Sequence, residues 1–309
     1  MVEPITGAIV TKTARALHAE ADSAGLMKRV FGPPADELGE ALRRVVQYRT
    51  RNFGRIIQKA DGRLHGKELT GMVNPRVGFV LLEEGSLCDD ELMTEYLGGV
   101  LAASRSPNGR DDRGISWTRI VTGLSSFQIR MHYLLYREWA HRLHEAVPNV
   151  DLTYKSEMDT ALMRLELDGF ETALVQDTDV DPEVILRHSV FGLARTGLIN
   201  DSWTYGNRDD IGLQSCSFER VLEVTPTGRG MELYGWALGM SDLLPRTFAS
   251  RAFSIAVEED GIPRLEPVEL PFIDDTEEEQ EEESKVSRSR QMHPSRRQLD
   301  GDGQGHETF

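Results

Sequence analysis

The stretch Asp181-Pro182-Glu183-Val184-Ile185-Leu186-Arg187-His188-Ser189-Val190-Phe191-Gly192-Leu193-Ala194-Arg195-Thr196-Gly197-Leu198-Ile199 decides the fold class. Asp181 suits an N-cap, because its carboxylate can accept from an N–H that the first helical turn leaves unpaired. Pro182 suits the first helical position, where a missing N–H is no loss. Gly197 supplies the left-handed residue that closes a helix, so the pattern predicts a helix through Arg195 turning into a strand at Leu198-Ile199. Phe218 to Val224 reads as a second strand. Thr225-Pro226-Thr227-Gly228 then repeats the cap-and-proline signature, with Thr225 as N-cap and Pro226 at the first position of a helix running to about Gly239. Helix, strand, variable loop, strand and helix start form a winged-helix-like module with a small β-hairpin.

Upstream, periodicity is helical. Ala35 to about Leu64 places Leu38, Leu42, Val45, Val46, Phe53, Ile56, Ile57, Ala60 and Leu64 within a stripe of roughly 120°, and this stripe is expected to face a core. Residues 4–30 read as a weaker helix, followed by Pro33-Pro34. Pro75 starts a short apolar helix, and Ser86-Leu87-Cys88-Asp89-Asp90 caps another that runs to Ser104. After the polar loop 104–114, helices are expected over Ser116–Leu124 and Ser125–Val147, the second dense in Phe127, Tyr133, Tyr136 and Trp139. Thr160–Leu167 fits a helix or a strand equally. Beyond Pro245, Phe253, Ile255 and Val257 alternate like a strand, and the Glu-rich, then Arg-dotted composition from Asp274 onward predicts a disordered tail. The expected fold is mainly α (α+β), with a helical region over 1–147, the winged-helix-like module and a β segment over 148–273, and the tail over 274–309.

Charge and cysteine content narrow the function classes. The chain of 309 residues carries a formal net charge of −16, a field that repels nucleic acid and anionic membranes unless a local basic patch overcomes it. Residues 178–241 hold nine acidic and five basic side chains, so the helix 181–195, offering Glu183, Arg187, His188 and Arg195, is a poor reader of phosphates and a better protein contact. Cys88 and Cys216 have no CxxC spacing, which speaks against a disulfide framework or zinc site and suits a reducing compartment. No apolar run reaches membrane-spanning length, and Met1–Val10 lacks a signal-peptide pattern, so a cytoplasmic location without membrane insertion is expected.

Four candidate constellations remain. Between residues 41 and 67 eight basic side chains accompany one acidic one. Arg44, Arg51, Arg55 and Lys59 project within about 80° of one another, a face that could dock phosphate or an acidic partner, or could be neutralised by acidic neighbours in the fold. Arg49 falls inside the apolar stripe beside Asn52, where an unpaired guanidinium would be costly, so a buried or half-buried ion pair with Glu83, Glu84, Asp89 or Asp90 is expected. Glu138, His141 and Glu145 carry ligand types at helical spacing but lack HExxH and a second cluster, a weak metal candidate set against a wet helix end. Gly109–Ser116 has the outline of a P-loop with Ile115 in place of the lysine and no preceding strand, and no GxSxG or Cys/His arrangement supports a nucleophilic hydrolase. No cofactor is expected.

Three blocks together resemble the abortive-infection alpha (Abi-alpha) family, bacterial domains of unknown biochemical function linked to phage defence. They are Phe31-Gly32-Pro33-Pro34-Ala35-Asp36-Glu37-Leu38-Gly39-Glu40 continuing through Tyr48-Arg49-Thr50-Arg51-Asn52 to Ile56-Ile57; Asn74-Pro75-Arg76 through Glu83-Glu84-Gly85-Ser86-Leu87-Cys88-Asp89-Asp90-Glu91-Leu92 to Leu101-Ala102-Ala103-Ser104; and Leu193 to Ile199 with Thr225-Pro226-Thr227-Gly228. The likeness covers roughly residues 30–240. Tyr96-Leu97-Gly98-Gly99 departs from it, where a Trp-Ala pair would be expected. The family supplies no catalytic residues to transfer. The resemblance implies a non-catalytic protein acting in phage defence through a protein partner. A nucleic-acid-binding regulator using the basic face of 35–64 is the alternative, and a metal-dependent enzyme around His141 a weaker one.

Overall fold

Helix α1 (Ala35–Leu64) runs 30 residues without an internal proline, about 45 Å at 1.5 Å per residue. A computed structural model describes it together with residues 71–146, 150–175, 179–214, 216, 218–248 and 250. The helix expected over 4–30, the alternating segment beyond Phe248 and the tail over 274–309 lie outside the described residues. Only the C-terminal half of α1 enters the core: Ile56 and Ala60 are buried, whereas Leu42, Val45, Val46 and Ile57 stay 47%, 50%, 49% and 44% exposed. The apolar stripe is therefore not wholly a core face. Periodicity identifies a side of a helix but not which neighbour, if any, covers it.

A short strand β1 (Met72–Val73) pairs antiparallel with β2 (Arg105–Ser106). Helix α2 (Pro75–Glu83) starts as its sequence directs, with the Asn74 side chain accepting from the Arg76 N–H at 2.9 Å and Pro75 at the first turn. A 3-10 turn, Gly85–Leu87, leads to α3 (Glu91–Ala103), capped by Asp90 accepting from Met93 N–H at 2.8 Å. Helix α3 is buried on most of its surface, with Tyr96, Leu97 and Val100 almost fully enclosed. Its Gly98-Gly99 pair is set by close packing. A Cβ on Gly98 would lie 2.4 Å from the Cβ of Lys59, and one on Gly99 would lie 1.8 Å from the Ala237 carbonyl oxygen. Two helices press on α3 from opposite sides, and neither position has room for a methyl group.

Helices α4 (Gly114–Thr122) and α5 (Ser126–Ala146) follow. Helix α5 is the centre of the molecule: Ile129, Met131, Leu135, Tyr136, Trp139 and Leu143 are fully buried. Its aromatic density is core, as expected. The core continues unbroken across residue 147 into the module that follows, because α5 is the helix on which that module packs.

After a short helix α6 (Lys155–Met158), the segment that fitted helix or strand resolves as strand β3 (Met163–Glu166). Helix α7 (Leu167–Leu174) and α8 (Pro182–Arg195) come next, then β4 (Thr204–Asn207), β5 (Arg220–Val224), α9 (Gly228–Ala237) and the short α10 (Pro245–Phe248). The three strands form one antiparallel sheet in the order β3-β5-β4, with Leu165 opposite Leu222 and Tyr205 opposite Leu222 on its other side. Strand, two helices and a strand pair returning beside the first strand is a winged-helix arrangement, with the wing between β4 and β5. Asp181 caps α8 through Glu183 N–H at 2.9 Å. Gly197 adopts φ 70° and lets Leu198 N–H reach the Leu193 carbonyl at 2.9 Å, the expected left-handed closure.

Two boundaries differ from the sequence reading. Ile199 makes only an isolated bridge to Pro226, and the first hairpin strand lies later, at Thr204–Asn207. Thr227, not Thr225, caps α9, accepting from Gly230 N–H at 3.1 Å. Pro226 sits in the bridge opposite Ile199, so the helix begins after it.

Candidate functional site

The basic face of α1 is divided by its surroundings. Arg55 donates to the Asp89 carbonyl at 2.9 Å and pairs with Glu91. Lys59 lies between Glu91 and Glu95, and Arg63 reaches Glu95 at 3.4 Å. Burial works against the charge of Lys59, but the hydrogen bonds and charges of Glu91 and Glu95 outweigh it and hold the ammonium above its usual pKa. The Lys59 and Arg55 hydrogen bonds hold Glu91 below the ordinary carboxylate range. Both acids stand on the first turns of α3, where carboxylates also suit the helix dipole. Half of the expected docking face is thus committed inside the fold. Arg44 and Arg51 remain exposed: the first reaches only the Glu40 carbonyl of its own helix, at 3.5 Å, and the second lies over the Tyr48 ring at 5.8 Å.

Arg49 is half-buried, but the acceptors differ from those expected. Its Nε donates to Ser86 Oγ at 2.8 Å, and Nη2 donates to the carbonyls of Leu82, at 3.0 Å, and Glu83. Those carbonyls belong to the C-terminal turn of α2, whose oxygens lack helical partners and carry the negative end of the dipole. Neighbouring Asn52 is buried and donates to the Ser86 carbonyl at 3.1 Å. Arg49 therefore ties α1 to a helix end, a structural role that backbone oxygens fill as well as a carboxylate.

On the winged-helix module, the outward stripe of α8 presents Val184, Arg187, His188, Phe191 and Arg195, all exposed. Arg187 and Arg195 point to solvent, whereas His188 Nε2 lies 3.1 Å from Ser125 Oγ at the start of α5. The dominant feature is apolar. Phe191, 53% exposed, meets Trp203 edge-to-face at 4.9 Å, and Trp203 stacks on Tyr205 of β4 at 6.0 Å and 14°. Val184, two turns earlier on α8, is 44% exposed. Sequence reading passed over Phe191, Trp203 and Tyr205. The available signal was a tryptophan and a tyrosine set in the otherwise polar run Asn200 to Asp210, where no core periodicity accounts for them.

Glu138 pairs with Arg142 at 3.1 Å, and His141 is half-buried on the same helix. The Glu145 side chain lies outside the described residues. Among the described residues no group of three His, Cys, Asp or Glu side chains is placed to hold a metal ion. Surface depressions among the described residues include two lined in part by polar side chains. One is lined by Arg113, Trp117, Glu232 and Trp236, with the Arg113 guanidinium 5.4 Å from the Trp236 ring and bound to Asp111 at 2.7 Å. The other is lined by Asn207, Arg208, Asp209, Asp210 and Glu219 of the wing. No described helix is long and apolar enough to cross a membrane.

No family model, curated protein or solved structure matches this chain.

Proposed function

We propose that this chain is a non-catalytic protein of the abortive-infection type, acting in phage defence by binding a protein partner through the α8–β4 face of its winged-helix-like module. The observation that carries this reading is the aromatic cluster of exposed Phe191 and half-buried Trp203 and Tyr205 on the face a DNA-reading winged helix would give to phosphates. Aromatic side chains half out of solvent are typical anchors of protein interfaces. The surrounding region, with nine acidic and five basic side chains over 178–241, repels a polyanion. The link to phage defence rests on the three blocks of helix ends and caps quoted above.

Phage challenge of cells carrying the gene tests the reading. Plaque formation should fall in the presence of the wild-type chain and recover with Phe191→Asp, an exposed substitution that should leave the thermal melt in place. Equal plaque numbers with and without the gene would end the proposal.

A second reading, a nucleic-acid-binding regulator, draws on Arg44 and Arg51, the two of the four candidate cations that have no acidic partner among the described residues. It requires salt-sensitive retention on heparin or DNA that is lost in Arg44→Glu/Arg51→Glu.

A further inference from the structure

Part of the apolar stripe of α1 stays exposed among the described residues. Leu42, Val46 and Ile57 are 47%, 49% and 44% exposed, with half-buried Phe53, which also touches the core, between them. On a helical wheel these four fall within about 60°. The body occupies the adjoining edge, through Arg49, Asn52 and Ile56, and reaches the border of the stripe at Ala60. A Cβ placed on Gly54, beside the stripe, would meet nothing within 4 Å.

We propose that α1 pairs antiparallel with α1 of a second copy along this stripe. The spacing of 42, 46, 53 and 57 reads the same from either end. A two-fold axis between Arg49 and Thr50 therefore sets Leu42 of each copy opposite Ile57 of the other, and Val46 opposite Phe53. Intervals of four and seven residues are those of helices that cross at a shallow angle with knobs-into-holes packing. The charges agree. Arg43 and Asp61 lie on the same solvent-facing edge of the stripe, both exposed and both without an ion-pair partner among the described residues. Helical side chains lean toward their own N-terminus, so in the antiparallel pair Arg43 of one copy and Asp61 of the other lean toward each other, twice per dimer. The exposed apolar side chains supply on the order of 300 Å² per copy, which with flanking polar groups suits a micromolar dimer and not an obligate one. This pairing uses a different surface from α8–β4 and does not depend on the function proposed above.

Sedimentation equilibrium of the full chain tests it. The expected result is a reversible monomer–dimer equilibrium with a dissociation constant in the range of about 1–100 µM. Val46→Glu, at an exposed position, should weaken association at least about tenfold without moving the thermal melt. Arg43→Asp should weaken it as well, and Arg43→Asp/Asp61→Arg should restore it. Thr50→Cys, next to the axis, should form a disulfide between copies under mild oxidation. A strictly monomeric chain at about 100 µM, a dimer indifferent to Val46→Glu, or a charge exchange that restores nothing would each overturn the proposal.

Discussion

His132 is fully buried between three helices, with Nδ1 2.8 Å from the Tyr96 hydroxyl and Nε2 3.0 Å from the Gly230 carbonyl. A carbonyl only accepts, so Nε2 carries the proton and Nδ1 accepts from Tyr96. The ring is neutral, and burial pushes its pKa down to about 3, with the Gly230 carbonyl opposing only part of the effect. A depressed imidazole pKa means that the unfolded chain takes up the proton first. Stability from this group is therefore complete above pH 6.5 and is lost as pH falls from there toward 3. Urea melts should show a loss of about 2 kcal/mol by pH 5, with a smaller slope in His132→Phe. A flat profile in the wild type would contradict the assignment. Glycines give a second residue-scale prediction. Gly99→Ala drives a methyl to 1.8 Å from the Ala237 carbonyl oxygen and should cost about 2–3 kcal/mol. Gly54→Ala, where the added Cβ meets nothing within 4 Å, should instead stabilise α1 by about 0.5–1 kcal/mol in thermal melts.

Among the elements, α1 and α3 form an electrostatic pair in which Glu91 and Glu95 hold Arg55, Lys59 and Arg63. Glu91→Gln/Glu95→Gln should release these cations and raise heparin retention at low salt, with a modest loss of unfolding free energy because the pairs are only partly buried and solvent screens them. Unchanged retention would mean that the freed cations are not accessible. Element ends were legible in the sequence: Asn74-Pro75, Asp90, Asp181-Pro182 and Gly197 perform the capping roles their chemistry suggests. Thr225-Pro226 misled because proline suits a first helical turn and an irregular strand bridge alike, and only the Ile199 pairing decides between them. Strand β3 was ambiguous because Met163 and Leu165 alternate over four residues, too short for periodicity to choose. The stripe of α1 and the acceptors of Arg49 depend on which distant segment packs nearby, and a local pattern does not contain that information.

At the scale of the whole molecule, α5 serves both halves: its aromatic side chains bury against the helical elements on one side and against α8 and α9 on the other. Tyr136 fastens the join, donating to the Leu198 carbonyl at 2.6 Å and accepting from Thr227 N–H at 2.9 Å. A continuous core of this kind holds α8 rigid, so the aromatic cluster on α8–β4 is presented in one geometry, as a contact surface requires. The acidic balance of the module and the neutralisation of half of the α1 face support the proposed protein contact over polyanion contact. The most direct measurement is site-specific photo-crosslinking in phage-challenged cells, with the photoreactive side chain placed at position 191 in one variant and at position 44 in the other. The account predicts a discrete protein adduct from position 191 and none from position 44. Nucleic-acid adducts from position 44, with nothing captured at position 191, would contradict it.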